Sequence, residues 1–461
     1  MDAKTKNPIT EGVIYKQLLL FFFPILLGTF FQQLYNTADA MIVGKFVGKV
    51  ALGAVGGSTG TIINLLVGFF TGLSSGATVI ISQHYGAGRE KATKLSVHTA
   101  LALAISCGIL ITAIGLTVGK TALIAMKTTD DILPLATTYL NIYFSGMVFS
   151  MIYNIGCGIL RAVGDSRRPL YFLIFCTMLN IVLDLLFVLA FDMSVAGVAI
   201  ATTISQAVSA VLVMRRLCKT NDIYKVTLRN IRFDFGYLKN IVMVGLPAGI
   251  QSALYGISNI ILQASINGFG TDTVAAWTAY GKIDGMFWMI MGAYGVSVTT
   301  FAGQNFGAGK IDRVKKCLAV GTALAMGTAA LVSGIVLVFG KYIIKLFADD
   351  ISVLTIGVDI IKTLAPFYFT YVMIEIVCGV LRGTGEAVLP MVITCFGVCG
   401  LRIIWIKLIV PLNPVLPMLL YSYPVTWTVT SCAFLIYYFK GKWLKRRLAK
   451  APTFDSFTDI I

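Results

Sequence analysis

Charged residues and histidine are scarce in this sequence. Only 13% of the 461 residues are Asp, Glu, Lys or Arg, where soluble proteins have about 25%, and there are two His. Apolar side chains make up 57%, so the surface of the folded chain must face lipid rather than water. The lack of long polar segments excludes a large extramembrane domain and leaves room for about a dozen spanning helices. We therefore predict an all-α, polytopic membrane protein.

Motifs of ATP hydrolysis and of zinc-dependent hydrolysis are absent. The patterns GxxxxGK[ST] and HExxH do not occur, which argues against ATP-driven transport by this chain alone and against a zinc hydrolase. The nine Cys lack the CxxC spacing of a zinc site, and the two His are not spaced as ligands. The net charge of +16 comes from bases scattered over short loops, which argues against a nucleic-acid partner. We expect no cofactor.

Apolar stretches of spanning length occur twelve times. They cover residues 16–40, 51–81, 95–118, 138–160, 170–191, 195–215, 239–266, 273–302, 317–340, 357–381, 389–411 and 416–439. Lys and Arg are concentrated before the first span and after the even-numbered spans, which places both termini in the cytoplasm. We expect a multi-pass protein of the cell membrane.

Two sequence blocks occur twice, at one constant separation. SQHYGAGR at 82–89 corresponds to GQNFGAGK at 303–310, and CGILRAVGDSRRP at 157–169 corresponds to CGVLRGTGEAVLP at 378–390. Pro24 and Pro247 correspond at nearly the same separation. The sequence is therefore an internal duplication with six spans in each copy.

An even number of spans per copy makes the two repeats parallel, related by an axis along the membrane normal. Two six-helix bundles related in this way enclose a central cavity, as in secondary transporters that work by alternating access. We expect an N-terminal lobe at 1–222, a cytoplasmic linker at 223–238, a C-terminal lobe at 239–440 and a basic tail at 441–461.

The second duplicated block predicts a helix that ends in a tight turn. Gly164 and Gly385 are placed where such a turn requires a positive φ. The spacing predicts pairing across the two turns, of Arg161 with Asp165 and of Arg382 with Glu386.

The twelve spans, the doubled Q-x-[YF]-G-A-G loop and the doubled C-G-x-L-R-x-x-G-[DE] turn resemble the multidrug and toxic compound extrusion (MATE) family, over essentially the whole chain. The resemblance implies a secondary antiporter. Such a protein exports cationic or amphipathic organic compounds in exchange for Na⁺ or H⁺.

Carboxylates inside the membrane are few, and each costs roughly 2.5–3.5 kcal/mol on insertion scales, so they usually mark function. Asp39 lies in the first span, and Asp184 lies midway along the fifth, with Asn180 one turn earlier. Two carboxylates brought close together in a low dielectric cannot both stay ionised without compensation, so they would bind a cation or share a proton. Three polar residues precede Asp39 at helical spacing: Gln32, Tyr35 and Asn36.

The resemblance is to the DinF-like branch of the family, and it implies a coupling site made of Asp39, Asn180, Asp184, Thr202 and Asn154. If the protein is sodium-coupled, the first four of these are the expected Na⁺ ligands. For Asn154 and Thr202 the alternative is a structural role, because buried Asn and Thr often cross-link helices.

The second half is less symmetrical. The counterparts of Asn180 and Asp184 are Leu401 and Trp405, while a further acid, Glu375, lies in the tenth span. Glu375 is a candidate contact for a proton or a cationic substrate; alternatively it pairs with Arg402 or Arg382.

Asp284 lies in the eighth span among Trp277, Tyr280, Phe287 and Trp288, a set that suits a delocalised organic cation. The alternative is that Asp284 pairs with a neighbour while Lys282 extends to the membrane surface. The predicted substrate contacts are Gln32, Tyr35, Asn36, Asp284 and Glu375.

The expected partners are a small-molecule substrate and membrane lipid, and the protein is expected to be a monomer. The basic, Trp-containing segment at 439–449 is predicted to anchor on anionic lipid. The competing function is a lipid-linked saccharide flippase of the same superfamily. A flippase is expected to line its cavity with several Arg or Lys for pyrophosphate, and only Lys282 and Arg402 lie far from the ends of the spans.

Overall fold

The protein is helical throughout the described part of the chain. The computed structural model describes residues 7–346 and 350–450. Within these ranges every regular element is an α-, π- or 3₁₀-helix. The all-α prediction is confirmed, and most of the predicted tail at 441–461 lies outside the described residues beyond a short helix, Trp443–Lys450.

In the described part of the chain, eleven helices are long and apolar enough to span a membrane, and a helix pair bent by 50° supplies a twelfth span. We number them α1 Ile14–Val47, α2 Lys49–Gly86, α3 Glu90–Ala125, α4 Leu133–Ser145 with Met147–Ala162, α5 Arg167–Ala190, α6 Ser194–Lys219, α7 Phe235–Asn267, α8 Thr271–Gly307, α9 Ile311–Lys345, α10 Ile351–Gly383, α11 Val388–Leu412 and α12 Leu416–Lys440. Each contains or closely overlaps one predicted apolar stretch, so the twelve predicted spans are confirmed.

Three of the spans contain π-helical segments. They are Val43–Val47 in α1, Leu186–Ala190 in α5, and Cys395–Gly400 and Trp405–Ile409 in α11. The segments of α1 and α5 pack against each other. Single turns of π-helix occur frequently at functional sites because they shift the register of the side chains that follow.

The chain forms two compact units, whose limits lie inside helices. The N unit runs from Phe21 to Ala253, and the C unit combines the segment up to Leu20 with the chain from Leu254 onward. The divisions therefore fall within α1 and α7 rather than in the loop between α6 and α7. The domain limits expected at 1–222, 223–238 and 239–440 stay a prediction.

Within the N unit, α2 and the first half of α7 approach each other through glycines. A Cβ on Gly72 would lie 2.7 Å from the backbone of Gly249, and a Cβ on Gly76 would overlap the carbonyl oxygen of Ile241. A Cβ on Gly245 would likewise overlap the carbonyl oxygen of Leu73. The spacing of small residues, four apart on both helices, is the pattern that allows close backbone contact in membranes.

In the C unit, the block around 303–310 binds the segment that precedes α1. Asn7 caps the short helix Pro8–Glu11 and donates to Gln304 Oε1 at 2.9 Å. The guanidinium of Arg313 donates to the carbonyl oxygens of Ile9 at 3.0 Å and Gly12 at 2.7 Å. These bonds satisfy carbonyl groups that the end of a helix leaves free.

In the N unit, residues in and after the corresponding block at 82–89 bind the loop that precedes α7. Tyr85 donates to Asp222 Oδ2 at 3.2 Å, and the backbone N–H of Thr227 donates to His98 Nε2 at 3.1 Å. His98 thus anchors this loop. Each duplicated block binds the segment that precedes the first helix of a repeat.

The predicted turns at Gly164 and Gly385 are confirmed, with φ of 96° and 87°. The predicted pairing of Arg161 with Asp165 is wrong. Asp165 instead accepts from both the guanidinium and the backbone N–H of Arg168, at 2.6 and 3.1 Å, at the start of α5. In the second turn, Glu386 lies 3.9 Å from Arg446 of the C-terminal helix.

Candidate functional site

Three helices of the N unit bring the polar residues of the candidate ion site together. Asp39 comes from α1, Asn180 and Asp184 from α5, and Thr202 from α6. Asn180 and Asp184 are fully buried, and Thr202 and Asp39 are 2% and 5% exposed. The one-turn spacing of Asn180 and Asp184 on α5 aims both side chains the same way. Four side chains from different parts of the sequence therefore share one buried position.

The four side chains interact with one another but leave most of their polar atoms unpartnered. The hydroxyl of Thr202 donates to Asp39 Oδ2 at 3.4 Å. The carboxyl groups of Asp39 and Asp184 lie close enough to interact directly, and Asn180 also faces Asp39. Asp39 Oδ1, both oxygens of Asp184 and both amide atoms of Asn180 have no hydrogen-bond partner. Buried polar atoms in folded proteins are nearly always satisfied, so this cluster is incomplete.

Neither of the two carboxylates forms an ion pair with a basic residue in the described ranges. The three ion pairs of the described residues lie elsewhere, at Lys94, Arg168 and Arg446. Because an uncompensated buried charge is strongly unfavourable, the pair requires a proton or a bound cation. Carboxylate, amide and hydroxyl oxygens are the ligands that small hard cations prefer. The residues present are chemically suited to either cargo.

Tyrosines and π-helical turns surround the acids. Tyr35 of α1 directs a buried, unpartnered hydroxyl to the site, and Tyr139 and Tyr143 of α4 stack with ring centres 6.0 Å apart. The π-helical segments of α1 and α5 begin four residues after Asp39 and two after Asp184. Sequence reasoning did not identify Tyr139 and Tyr143, although their one-turn spacing marks one helix face.

Asn154 and Gln32 lie around a different feature, a cavity of about 80 Å³ beside Pro24. Arg161 and Gly28 also line this cavity. Asn154 donates to the carbonyl oxygen of Ser150 at 2.9 Å. The structure therefore places Asn154 next to the proline of α1, where helix bending has free volume on one side.

Asp284 of the C unit accepts three hydrogen bonds. Trp288 Nε1 donates to Oδ2 at 2.6 Å, and the hydroxyls of Tyr280 and Tyr368 donate to Oδ1 at 3.1 and 3.0 Å. Tyr368, which comes from α10 and stacks on Phe287 at 4.1 Å, was not identified from the sequence. Charge-assisted bonds of this kind stabilise the ionised carboxylate. Lys282, by contrast, is exposed.

Two further polar side chains of the C unit are Glu375 and Arg402. Tyr371 donates to Glu375 Oε2 at 3.1 Å, and the other carboxyl oxygen packs against Gly295 of α8, where a Cβ would overlap it. Arg402 is 2% exposed, its guanidinium lies 4.1 Å from the ring centre of Tyr423, and its Nε has no partner. No ion pair joins Glu375 to Arg402 in the described residues.

Of the substrate contacts predicted in α1, Gln32 and Asn36 are exposed, whereas Tyr35 is half-buried. Gln32 and Asn36 are therefore accessible from outside the helix bundle of their unit. All of the predicted site residues lie within the described part of the chain. Groups of three or more His, Cys, Asp or Glu that would hold a metal are not found in the part of the chain that the structure describes.

Comparison with known proteins identifies the family. The MatE family model matches residues 24–186 and 247–406, two segments that begin at the corresponding prolines. The chain is 29% identical over 446 residues to the probable multidrug resistance protein YpnP of Bacillus subtilis, covering 95% of this chain and 98% of that protein. It is 25% identical over 399 residues to the probable multidrug resistance protein NorM of Thermotoga maritima, covering 85% and 84%.

Solved structures share the fold. A structure of MATE in the bent conformation superposes with a TM-score of 0.89 at 22% identity, covering 97% of this chain and 100% of that chain. A MOP superfamily transporter from Pyrococcus furiosus superposes with a TM-score of 0.88 at 22% identity, covering 98% and 100%. Together with the twelve spans and the duplication, these matches establish that the chain belongs to the MATE family of membrane transporters, a family of transporters rather than of enzymes.

Proposed function

We propose that the protein is a secondary antiporter that exports organic cations, drugs or amphipathic metabolites in exchange for Na⁺ or H⁺ by alternating access. The observation that carries the proposal is the pair of buried carboxylates, Asp39 and Asp184, which have unpartnered oxygens and no ion pair with any base that the structure describes. Relatives named as multidrug resistance proteins support an exporter of small molecules.

The ion site of the proposal consists of Asp39, Asn180, Asp184 and Thr202, with Asn154 acting nearby on α1. Binding of Na⁺ or H⁺ neutralises the acids and thereby removes the penalty of holding them together. Because Asp39 belongs to α1, its neutralisation repacks this helix near Pro24, beside the small cavity. The conformation in which α1 is repacked around the bound ion has a lower affinity for substrate, so that binding of the ion and binding of the substrate are coupled.

Substrate contacts are assigned to Gln32, Tyr35, Asn36, Asp284 and Glu375. Asp284 is the strongest of these, because three donors hold its carboxyl group among aromatic rings, an environment that favours a delocalised cation. The protein acts in the plasma membrane with both termini in the cytoplasm, as the distribution of Lys and Arg favours. It works as a monomer and without a cofactor.

The test is efflux of tetramethylrhodamine methyl ester, a fluorescent organic cation, from proteoliposomes under a Na⁺ gradient or a pH gradient imposed separately. The parent protein is expected to respond to one gradient, which identifies the coupling ion. Asp39→Asn and Asp184→Asn are expected to abolish the response. Gradient-driven efflux that persists in Asp184→Asn would overturn the assignment of the ion site.

Asp131→Asn is the matched control. Asp131 is exposed in the turn between α3 and α4, and the hydroxyl of Thr129 holds the pKa of its carboxyl below the usual value. A carboxyl with a lowered pKa stays ionised across the neutral and mildly acidic range, so the control removes a full charge. It is expected to leave coupled efflux unchanged. Absence of dye movement in the parent under both gradients would favour the lipid-linked saccharide flippase.

A further inference from the structure

The C-terminal helix Trp443–Lys450 is fixed on the C unit rather than free at the surface. The indole of Trp443 is 3% exposed and donates to the carbonyl oxygen of Tyr438 at 2.9 Å. Arg446 donates to the hydroxyl of Tyr437 at 2.6 Å, and Arg447 donates to the carbonyl oxygen of Thr384 at 3.0 Å. These contacts hold the helix in one orientation against the end of α12 and the turn after α10.

A groove of about 780 Å³ lies between this helix and the bundle. Its inner walls are apolar and come from α9, α10, α12 and the C-terminal helix, with Leu318, Ala319, Met373, Leu435 and Leu444 among the lining residues. A volume of this size lies within the range of ligand-binding cavities. Apolar walls of this extent require an apolar occupant.

Four lysines line the same groove: Lys315, Lys440, Lys442 and Lys445. All four side chains are exposed, and none forms an ion pair among the residues that the structure describes. Lys315 lies near the start of α9 and Lys440 at the end of α12, so the charges mark the level at which these helices leave the membrane. Clusters of Lys at this level attract anionic headgroups.

The groove also contains an unsatisfied polar atom below the lysines. The hydroxyl of Thr322 is buried, lines the groove and has no hydrogen-bond partner. Thr322 lies seven residues after Lys315 on α9, with Leu318 and Ala319 between them, so charge, apolar surface and hydroxyl follow one helix face. An ester carbonyl oxygen just below a phosphate is an acceptor at the depth this hydroxyl requires.

We propose that the groove binds one anionic phospholipid of the surrounding bilayer, with its phosphate among Lys315, Lys440, Lys442 and Lys445 and its acyl chains along the apolar walls. Thr322 donates to an ester oxygen of this lipid. Charge, apolar volume and an unpartnered donor occur together in the order in which a phospholipid presents phosphate, ester and acyl chain. The site is independent of the transport cycle proposed above.

The test compares phosphatidylglycerol retained by the purified protein, counted by native mass spectrometry after extraction from mixed phosphatidylethanolamine and phosphatidylglycerol vesicles. A variant with Lys315→Gln, Lys440→Gln, Lys442→Gln and Lys445→Gln is expected to retain about tenfold less phosphatidylglycerol, because each lysine near the surface adds attraction for anionic lipid. The matched control replaces four other exposed lysines that follow even-numbered spans: Lys91→Gln, Lys219→Gln, Lys239→Gln and Lys316→Gln.

Equal loss in the two quadruple variants would overturn the proposal, since general attraction to the basic surface would then explain retention. Ala319→Trp fills the groove without changing charge and is expected to reduce retention of phosphatidylglycerol similarly. If the quadruple lysine variant is not monodisperse, Ala319→Trp alone tests the proposal. Free glycerol phosphate is expected not to displace the lipid. Displacement by glycerol phosphate would identify a phosphate site without a lipid and would overturn the proposal too.

Discussion

The hydroxyl of Thr202 in α6 donates a hydrogen bond to Asp39 Oδ2 in α1, across 3.4 Å and among five other polar atoms that have no partner. Thr202→Val keeps the shape of the side chain and removes this donor and oxygen ligand. A hydrogen bond to a charged group contributes about 1.5–3 kcal/mol. Because this bond is long, we expect the lower end, a roughly tenfold rise in the Na⁺ or H⁺ concentration for half-maximal dye efflux. Thr202→Ser, which keeps the hydroxyl, is the control. If Thr202→Val leaves the ion concentration for half-maximal efflux unchanged, Thr202 has only a structural role in the packing of α6 on α1.

The spans and the core of the candidate ion site could be predicted because each depends on a local or rare feature. Apolar length fixes the spans, and acids inside spans are so few that Asp39 and Asp184 stand out. The contact between them depends on how α1 packs against α5, which the sequence does not specify. Asn154 shows the limit of prediction from sequence. Its place in α4 is compatible with a position beside the acids or beside Pro24, and the structure places it beside Pro24.

A second prediction concerns Asp284 and Trp288. Asp284→Asn removes the charge that attracts a cation, so we expect the apparent KM for tetramethylrhodamine methyl ester to rise about tenfold. Trp288→Phe removes only the 2.6 Å donor to Oδ2 and is expected to raise KM by a smaller factor. Met286→Leu, on the exposed face of the same helix, should change nothing. A lower melting temperature with an unchanged KM in Asp284→Asn would mean that Asp284 is purely structural.

Contacts across the C unit were harder to predict than residues within one helix. The sequence identified Asp284 and its neighbours in α8, which are close in number. Tyr368 lies 84 residues away and reaches Asp284 only because α10 packs on α8. The predicted Arg161–Asp165 pairing failed for a related reason. Arg168 lies three residues from Asp165, one fewer than Arg161, and shares its turn.

Arg402 and Tyr423 give a third prediction. The guanidinium is buried against the ring without an ion-pair partner in the described residues. Replacing an unpaired buried charge by an apolar side chain of similar length removes its desolvation cost, so Arg402→Met is expected to keep or raise the melting temperature in detergent. Tyr423→Leu leaves the charge and removes the ring, and should destabilise by about 1–2 kcal/mol. A greater loss in Arg402→Met than in Tyr423→Leu would contradict this account.

The unit boundaries inside α1 and α7 follow from packing that apolar periodicity does not encode. The first half of α7 is as apolar as the second, yet it packs on α2 through Gly245 and Gly249. A small residue at intervals of four is common in spans, so the pattern alone does not say which helix approaches. The glycine contact explains why the first half of α7 packs with the N unit. The lobe limits expected from the sequence, with a linker between α6 and α7, stay a prediction.

The glycine crossing of α2 and α7 yields the last prediction. Gly76→Ala and Gly245→Ala each place a methyl group against a carbonyl oxygen of the facing helix, so we expect a loss of about 1–3 kcal/mol, as for other overpacked sites. Gly327→Ala in α9 meets nothing within 4 Å and should be neutral or stabilising by about 0.5–1 kcal/mol, because Ala favours helix over Gly. Thermal unfolding of the purified variants measures both effects. If all three variants have the same melting temperature, α2 and α7 do not approach as closely as described. If only the two crossing variants lose stability, the first half of α7 belongs to the N unit for an energetic reason as well as a geometric one.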